Sequence, residues 1–589
     1  MPSPASPDIV RRRFTLDENT YIILLALLVG VLGGLGNTAF RYSVQFVTEL
    51  VRGWLAGQIG IEMTARTRLL LPLLPLTGAL LVIPFALTFP GQIYGYGFPG
   101  FLELVNVRGG MVKKRLIIPK MIAASLVIGS GGSVGVEGPI AQLGGGLGSA
   151  IGQWLKSSAT RLRVLIASGV AAGIAATFDA PITGVMFAVE LVLMGDFQLQ
   201  SFVALVLAAG VATVIARATF GLHPAFLVPA YTMVSPIELL SYVLLGICSG
   251  LVAIFFITFF YGTRDVFARL PLPLHLKPLI GALLMGSVAI ALPQVMGNGY
   301  EFIQSALDGQ LVWWLMLLLV AGKLIATSLT LGSGGVGGTF APSLYIGTML
   351  GGGFGALMHR LLPHATADPG AYAMVGMAGF LAATTQAPLT AAFLLFELTA
   401  SYMIVLPVLF CIIAGLVVVR AFGIESIDEV ELERRGINLR AGKESSILQS
   451  VKVGEVMTRD FQVIPERMPL RGILPVISGS RHDYFPVVDD NGMMSGSLTF
   501  QELREVLFEE GLKELVVAKD VANEHLVWLT PDDTLGTAIG LLAKRDVAAL
   551  PVMESPSSRR VLGLVKRDDV LAAYNSQLLL RYPEAAAEH

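Results

Sequence analysis

The chain has 589 residues, 54% of them hydrophobic and 14% charged, with a mean hydropathy of +0.70. Soluble domains carry about 25% charged residues, so this composition excludes an ordinary soluble protein and points to a polytopic membrane protein. The net charge of −2 comes with no basic aromatic patch, so no nucleic-acid partner is expected. Cys248 and Cys411 both sit in apolar runs. They are too few for a disulfide framework and lack metal-ligand spacing.

Arg11-Arg12-Arg13 precede the first apolar run, Tyr21–Leu35. No small-residue cleavage signal follows, so the run reads as a retained helix, and the arginines place the N-terminus in the cytoplasm. Apolar segments then recur to about residue 422, clearest at Leu69–Leu87, Leu239–Phe260, Leu279–Met296 and Tyr402–Val419. About 25 residues per helix and loop give roughly 14–18 helical segments. Segments around 129–150 and 332–350 are short and broken by Gly or Pro. They read as half-helices meeting inside the protein, where protein covers irregular backbone.

The stretch Gly129-Ser130-Gly131-Gly132-Ser133-Val134-Gly135-Val136-Glu137-Gly138-Pro139 holds one carboxylate among glycines. Glycines let the backbone approach a ligand, and Pro139 suits the first position of a helix. Free N–H groups and a positive helix end then converge on an anion site, for which Glu137 would compete. A glycine-rich bend with Glu137 paired to a cation is the alternative.

The motif repeats. Gly129-Ser130-Gly131-Gly132 recurs as Gly332-Ser333-Gly334-Gly335, with Pro139 and Pro342 at equal distances. Ala180-Pro181-Ile182-Thr183 leads to Glu190-Leu191, as Ala387-Pro388-Leu389-Thr390 leads to Glu397-Leu398. Two matched motifs in one order mean two homologous halves. Paired halves with broken helices mark transporters that bind substrate near the bilayer midplane.

After Val419 a polar segment begins, with Glu425, Asp428, Glu429, Glu431, Glu433, Arg434 and Arg435. The remainder reads as a soluble domain with its own repeat. Phe485-Pro486-Val487-Val488-Asp489 precedes Gly496-Ser497-Leu498-Thr499, and Leu550-Pro551-Val552-Met553 precedes Gly563-Leu564-Val565-Lys566. Each copy predicts two short strands and a helix, Gln501–Phe508 or Asp568–Tyr574, with upstream helices near Pro469–Ile477 and Thr534–Lys544. The expected domains are a cytoplasmic N-terminus (1–19), a membrane domain (20–425, halves about 20–235 and 236–425), a linker (426–452) and two α/β modules (453–510 and 517–578).

These motifs resemble those of the CLC chloride channels and chloride/proton exchangers, followed by a pair of CBS domains. Gly135-Val136-Glu137-Gly138-Pro139 is similar to the family's G-(R/K)-E-G-P, with Val136 for the basic residue. Gly338-Thr339-Phe340-Ala341-Pro342 is similar to G-x-F-x-P, and Gly95-Tyr96-Gly97-Phe98-Pro99 to G-S-G-I-P. The resemblance implies an all-α polytopic membrane domain with two inverted repeats and broken helices, plus a C-terminal α/β CBS pair. It implies a homodimer in the inner membrane with one anion pathway per subunit, both termini cytoplasmic, and chloride or another small inorganic anion as ligand. No enzymatic activity is expected, since the sequence shows no catalytic triad, metal cluster or nucleotide-hydrolysing loop.

By resemblance, Glu137 is the gate: ionised, it occupies the anion site; protonated or displaced, it vacates it. An intramembrane carboxylate is costly and functional by default. The anion would be held by backbone N–H groups of Val136, Gly138, Thr339 and Phe340, and near Tyr96 and Gly97. Tyr96 stands where the family has serine or, in some nitrate-preferring members, proline. The family's second hydroxyl ligand, a tyrosine after the last membrane helix, is here Asp428 in Ser426-Ile427-Asp428. An aspartate carboxylate would repel an anion, so Asp428 is not expected to be a ligand. Either Tyr96 replaces both ligands or it packs elsewhere and the central site is weak. Chloride, nitrate and bicarbonate are thus all open. Leu191 replaces a glutamate on the proton route of coupled members, which favours channel-like or weakly coupled transport; an exchanger with another relay is the alternative. Glu190 and Glu397 are either a proton path or, as their symmetry favours, structural. Lys323 either attracts anions or, preferably, neutralises Glu190 or Glu397. Lys113, Lys114, Arg115 and Lys120 read as solvated loop charge. In the CBS pair the candidate ribose-binding groups are Thr499, with Glu502 downstream, and Asp569, after Lys566. Neither motif is intact, so an adenine nucleotide is the weaker expectation, behind dimer stabilisation and modulation of gating. An ion-responsive sensor with the CBS pair as output is the reading from another class.

Overall fold

The computed structural model describes residues 18–59, 67–197, 199–221, 226, 234–437, 439, 448, 451–480, 482–504, 514–545, 547–555 and 558–581. Arg11-Arg12-Arg13, part of the 426–452 linker and the end of the expected helix Gln501–Phe508 lie outside them. The chain divides into two compact units, Met1–Leu432 and Glu433–His589.

The first unit is helical. Among the described residues, seven helices are long and apolar enough to cross a membrane. After α1 (Glu18–Thr48) the first half runs through α2 (Leu73–Thr88), α3 (Phe98–Asn106), α4 (Ile117–Gly129), α5 (Glu137–Trp154), α6 (Ala159–Phe178), α7 (Pro181–Phe187, continued by a wider turn to Val192) and α8 (Leu199–Phe220). The second half runs through α9 (Glu238–Arg269), α10 (Lys277–Ala291), α11 (Tyr300–Leu307), α12 (Trp313–Gly332), α13 (Phe340–Leu361), α14 (Pro369–Thr385), α15 (Pro388–Thr399) and α16 (Val405–Ala421).

The repeat is a repeat of backbone. The helices α4 and α12 both stop at the first glycine of the Gly-Ser-Gly-Gly motif, and the third residue takes a positive φ in each, 106° at Gly131 and 109° at Gly334. A side chain rarely tolerates that conformation, which is why glycine stands there. The helices α5 and α6 cross where Gly144 meets Gly169, as α13 and α14 cross where Gly347 meets Gly376. In both crossings an added Cβ would strike the facing backbone. Small residues allow this approach in a bilayer, where packing replaces the hydrophobic drive between helices.

One expected boundary moves. Helix α5 starts at Glu137, with Val136 as N-cap, so Pro139 is its third residue rather than its first. The missing N–H still falls in the first turn, where no intrahelical acceptor exists. The shift puts the carboxylate itself at the positive end of its own helix.

In the second unit, β1 (Ile464–Pro465) pairs parallel with β2 (Tyr484–Val488), which pairs antiparallel with β3 (Met494–Thr499). The second module pairs β4 (Ala549–Met553) antiparallel with β5 (Val561–Lys566). The flanking helices are α17 (Leu470–Ser478), α18 (Phe500–Leu503), α19 (Leu535–Arg545) and α20 (Arg567–Arg581). The first module closes over Ile464, Ile473, Phe485 and Leu498. Tyr484 and Met494 pack with Ala549, Met553 and Leu564, so the two modules share a core.

Candidate functional site

Two broken helices meet at the centre of the membrane unit. Gly135 N–H donates to the Gly338 carbonyl at 2.8 Å, and Gly338 N–H donates back at 2.9 Å. This reciprocal bridge joins glycines at equivalent positions of the two halves. Two further backbone bonds join the halves in matching positions: Gly95 N–H donates to Gly334 O at 2.8 Å and Gly297 N–H to Gly131 O at 3.0 Å. These bonds use backbone only, so α5 and α13 begin side by side with their N-terminal N–H groups free of intrahelical acceptors.

Glu137 fills that junction. It is fully buried. Its Oε2 accepts from Ala341 N–H, in the first turn of α13, at 3.2 Å, and its Oε1 accepts from the Tyr300 hydroxyl at 2.7 Å. An anionic group thus sits between two positive helix ends.

A narrow cleft opens beside it, with Tyr96, Glu137, Gly138, Leu191, Thr339, Phe340 and Asp428 among its walls. Tyr96 does not pack elsewhere. Its hydroxyl donates to Asp428 Oδ1 and lies 2.9 Å from Thr339 Oγ1. Of the expected anion-binding residues, Tyr96, Gly138, Thr339 and Phe340 come together with Glu137. Gly97 and Val136 are not among the wall residues: Gly97 caps α3 and faces Gln142, and Val136 caps α5.

The sequence pattern described as Voltage gated chloride channel matches residues 78–420, and that of the CBS domain matches 453–509 and 518–576. The chain belongs to the voltage gated chloride channel family. It is 35% identical over 416 residues to a putative chloride channel protein ClcB-like of Ralstonia nicotianae, covering 69% of this chain and 95% of that protein. It is 32% identical over 422 residues to the H(+)/Cl(−) exchange transporter ClcA of Vibrio campbellii, covering 70% and 89%. The crystal structure of a slow cyanobacterial Cl−/H+ antiporter superposes with a TM-score of 0.64 at 28% identity, covering 71% of this chain and 98% of that one. A eukaryotic CLC transporter gives 0.62 at 21% identity over 93% and 97%, a likeness of fold. The membrane unit is therefore a multi-pass CLC fold, and a CBS pair follows it.

The family fold puts Glu190 and Glu397 to one use. Glu190 accepts from Leu389 N–H (2.9 Å), Thr390 N–H (2.6 Å) and the Thr390 hydroxyl (2.7 Å). Glu397 accepts from Ile182 N–H (2.8 Å), Thr183 N–H (2.7 Å) and the Thr183 hydroxyl (2.6 Å). Each carboxylate caps the helix start of the opposite half, satisfying N–H groups that α7 or α15 leaves orphaned.

Lys323 is the clear correction. It neutralises neither Glu190 nor Glu397. Its ammonium donates to the carbonyls of Val295 (3.0 Å) and Gly297 (2.7 Å), lies 5.0 Å from the centre of the Tyr345 ring, and acts electrostatically on Glu137. The reason is where α12 stands: the capping carboxylates are already spent on backbone donors. Lys120 is the counterpart of Lys323 at the repeat offset. It lies on α4, not in a loop, and donates to Gln142 at 3.2 Å. Lys113, Lys114 and Arg115 are exposed, as expected of loop charge.

Two residues that hold Glu137 are not evident from the sequence motifs. Ala341 contributes only a backbone N–H, which no side chain signals. Tyr300 did leave a trace: Gly95-Tyr96-Gly97-Phe98 is echoed by Gly297-Asn298-Gly299-Tyr300, one residue short of the spacing that relates Gly129 to Gly332. In the CBS pair, Thr499 caps α18 through a hydroxyl contact with Glu502 and a bond from Gln501 N–H at 3.2 Å. Asp569 accepts from Lys566 N–H at 3.4 Å. Both candidate nucleotide groups are engaged at helix starts.

Proposed function

We propose that this chain carries chloride, or another small anion such as nitrate or bicarbonate, across the inner membrane as a homodimer with cytoplasmic termini. Glu137 is the gate of each pathway. One observation carries the reading: the carboxylate occupies a helix-end anion site, held by Ala341 N–H and Tyr300. A permeating anion must displace it, or pass when it is protonated. Leu191 lines the cleft and carries no proton, so transport is channel-like or weakly proton-coupled. The CBS pair stabilises the dimer and modulates gating, and adenine nucleotide is not its main ligand.

The test is reconstitution in liposomes with anion efflux and proton movement recorded together. Wild type is expected to pass chloride in a pH-dependent manner with little proton movement, and Glu137→Gln to alter that pH dependence. An unchanged pH profile removes Glu137 as the gate. A chloride gradient that drives protons uphill establishes the second reading, exchange through another relay. That reading draws support from the relatives named as H(+)/Cl(−) exchangers and from a second carboxyl group on the cleft.

A further inference from the structure

Two carboxyl groups line one cleft, and the gate uses only one of them. Asp428 is 3% exposed, and its position is fixed from several sides. The neighbouring Ile427 donates its N–H to Thr384 O on α14 at 2.9 Å and accepts the Tyr261 hydroxyl of α9 at 2.7 Å. Ser426 donates to Glu429 at 2.9 Å, and Arg264 of α9 holds Glu431 with two bonds of 2.6 and 2.8 Å. The loop cannot carry Asp428 out of the cleft without breaking these bonds.

Tyr96 is equally confined. Its ring meets Phe260 edge-on at 5.9 Å, and its oxygen sits between Asp428 and Thr339. A phenol has one hydrogen to donate. It can serve the carboxylate or an anion in the cleft, not both.

The charged surroundings leave Asp428 without a counter-ion in the cleft. Among the described residues its walls include no lysine, arginine or histidine. Arg264 is engaged by Glu431, and Glu429 adds a like charge beside Asp428. Tyr261 donates to a backbone carbonyl, and Glu137, across the cleft, is bonded to Tyr300 and Ala341. The walls are otherwise apolar or hydroxylic, with Phe187, Phe340, Leu191 and Thr385.

We infer that the centre of this cleft is a proton-linked anion site, in which Asp428 takes up the proton and Tyr96 receives the anion. With Asp428 ionised, the Tyr96 hydroxyl is held by a charge-assisted bond, and the carboxylate repels a second negative charge. A proton from the aqueous phase then binds one carboxyl oxygen. The new O–H donates to the Tyr96 oxygen, and the phenolic hydrogen turns, with the Thr339 hydroxyl, toward the anion. Only O–H bonds form or break, and the uptake of H+ with the anion keeps the net charge unchanged. Linkage makes the effect reciprocal: protonation tightens anion binding, and a bound anion favours protonation by the same factor. The inference rests on the cleft being the anion pathway, and it assigns to Asp428 a role separate from the gate.

Chloride binding to the purified full chain in detergent, followed by calorimetry between about pH 5 and pH 8, tests it. Glu137→Gln removes the gate's own titration. On that background, affinity is expected to remain pH-dependent, rising by up to roughly tenfold per unit fall in pH across the carboxyl's titration, as one linked proton requires. Adding Asp428→Asn should flatten the profile and fix it at the tight, low-pH value. Adding Tyr96→Phe instead should weaken binding at low pH, where the phenolic hydrogen is offered to the anion, and this variant decides the matter if Asp428→Asn does not fold. A flat profile in Glu137→Gln, a slope that survives Asp428→Asn, or unchanged binding in Tyr96→Phe each overturns the inference. Failure of the gate reading shows elsewhere, in the efflux profile of Glu137→Gln itself.

Discussion

The two halves of the membrane unit share a backbone and differ in chemistry at one position. Helices α5 and α13 begin alike, bridge to one another through Gly135 and Gly338, and present the same N–H groups. Where the first half has Glu137, the second has Phe340 at the repeat offset. Both line the cleft. Elsewhere the symmetry reaches the side chains: Glu190 and Glu397 make the same three bonds to opposite helix starts. The contrast teaches a rule for this chain. Charges that hold the halves together come in pairs, whereas the carboxylate at the junction of the two helix starts has no counterpart in the other half, because two carboxylates facing each other across that junction would repel one another. Unit charges about 4 Å apart repel by about 4 kcal/mol at an effective dielectric of 20.

Making the halves alike is the strongest way to break this contrast. Phe340→Glu should cut chloride efflux on the order of a hundredfold, within the range that such repulsion implies. Moving the carboxylate, as Glu137→Gln with Phe340→Glu, should recover at least about tenfold of that loss. Efflux from Phe340→Glu equal to wild type would show that the asymmetry is incidental.

A smaller effect is expected from Tyr300→Phe, which sharpens the contrast by loosening Glu137 without removing it. Bonds to charged groups contribute about 1.5–3 kcal/mol. Chloride efflux at neutral pH should therefore rise about tenfold in liposomes, and an unchanged rate would mean the bond does not restrain the gate.

The smallest effect should come from the paired charges. Glu190→Gln and Glu397→Gln keep an acceptor and lose the charge at a helix start, at a cost of about 1 kcal/mol each. Thermal melts of the two variants in detergent should match, and both should keep the wild-type pH profile of efflux. A pH profile altered by Glu190→Gln alone would move that residue from the frame to the path.

Much of this arrangement was legible in the sequence because repeats write themselves twice. The spacing of Gly129 to Pro139 against Gly332 to Pro342 was enough to pair the halves, and the Ala-Pro-x-Thr motifs with their glutamates were enough to expect a symmetric structural use. What stayed hidden depends on directions in space. Lys323 finds its partners in two carbonyls, Val295 and Gly297, and a carbonyl's direction leaves no mark on residue identity. Ala341 acts through an N–H that every non-proline residue owns. Asp428 was read as a departure that spoils an anion site, since the sequence could not show the Tyr96 hydroxyl against it. Lys120 reads as loop charge because it clusters in sequence with Lys113, Lys114 and Arg115 between membrane segments, although its own segment is helical.

The reciprocal caps and glycine bridges have a mechanical consequence. They tie the halves at the centre, on both flanks and at the paired glutamates, and nearly all of these ties end on backbone. Rocking one half against the other, as many repeat transporters do, would shear every tie together. Bonds between neutral groups contribute about 0.5–1.5 kcal/mol each, and bonds to charged groups more, so a rigid-body swing is the expensive motion and the turn of a single side chain is the cheap one. On the gate reading proposed above, the membrane unit is a stator, and the moving part is a few atoms of Glu137.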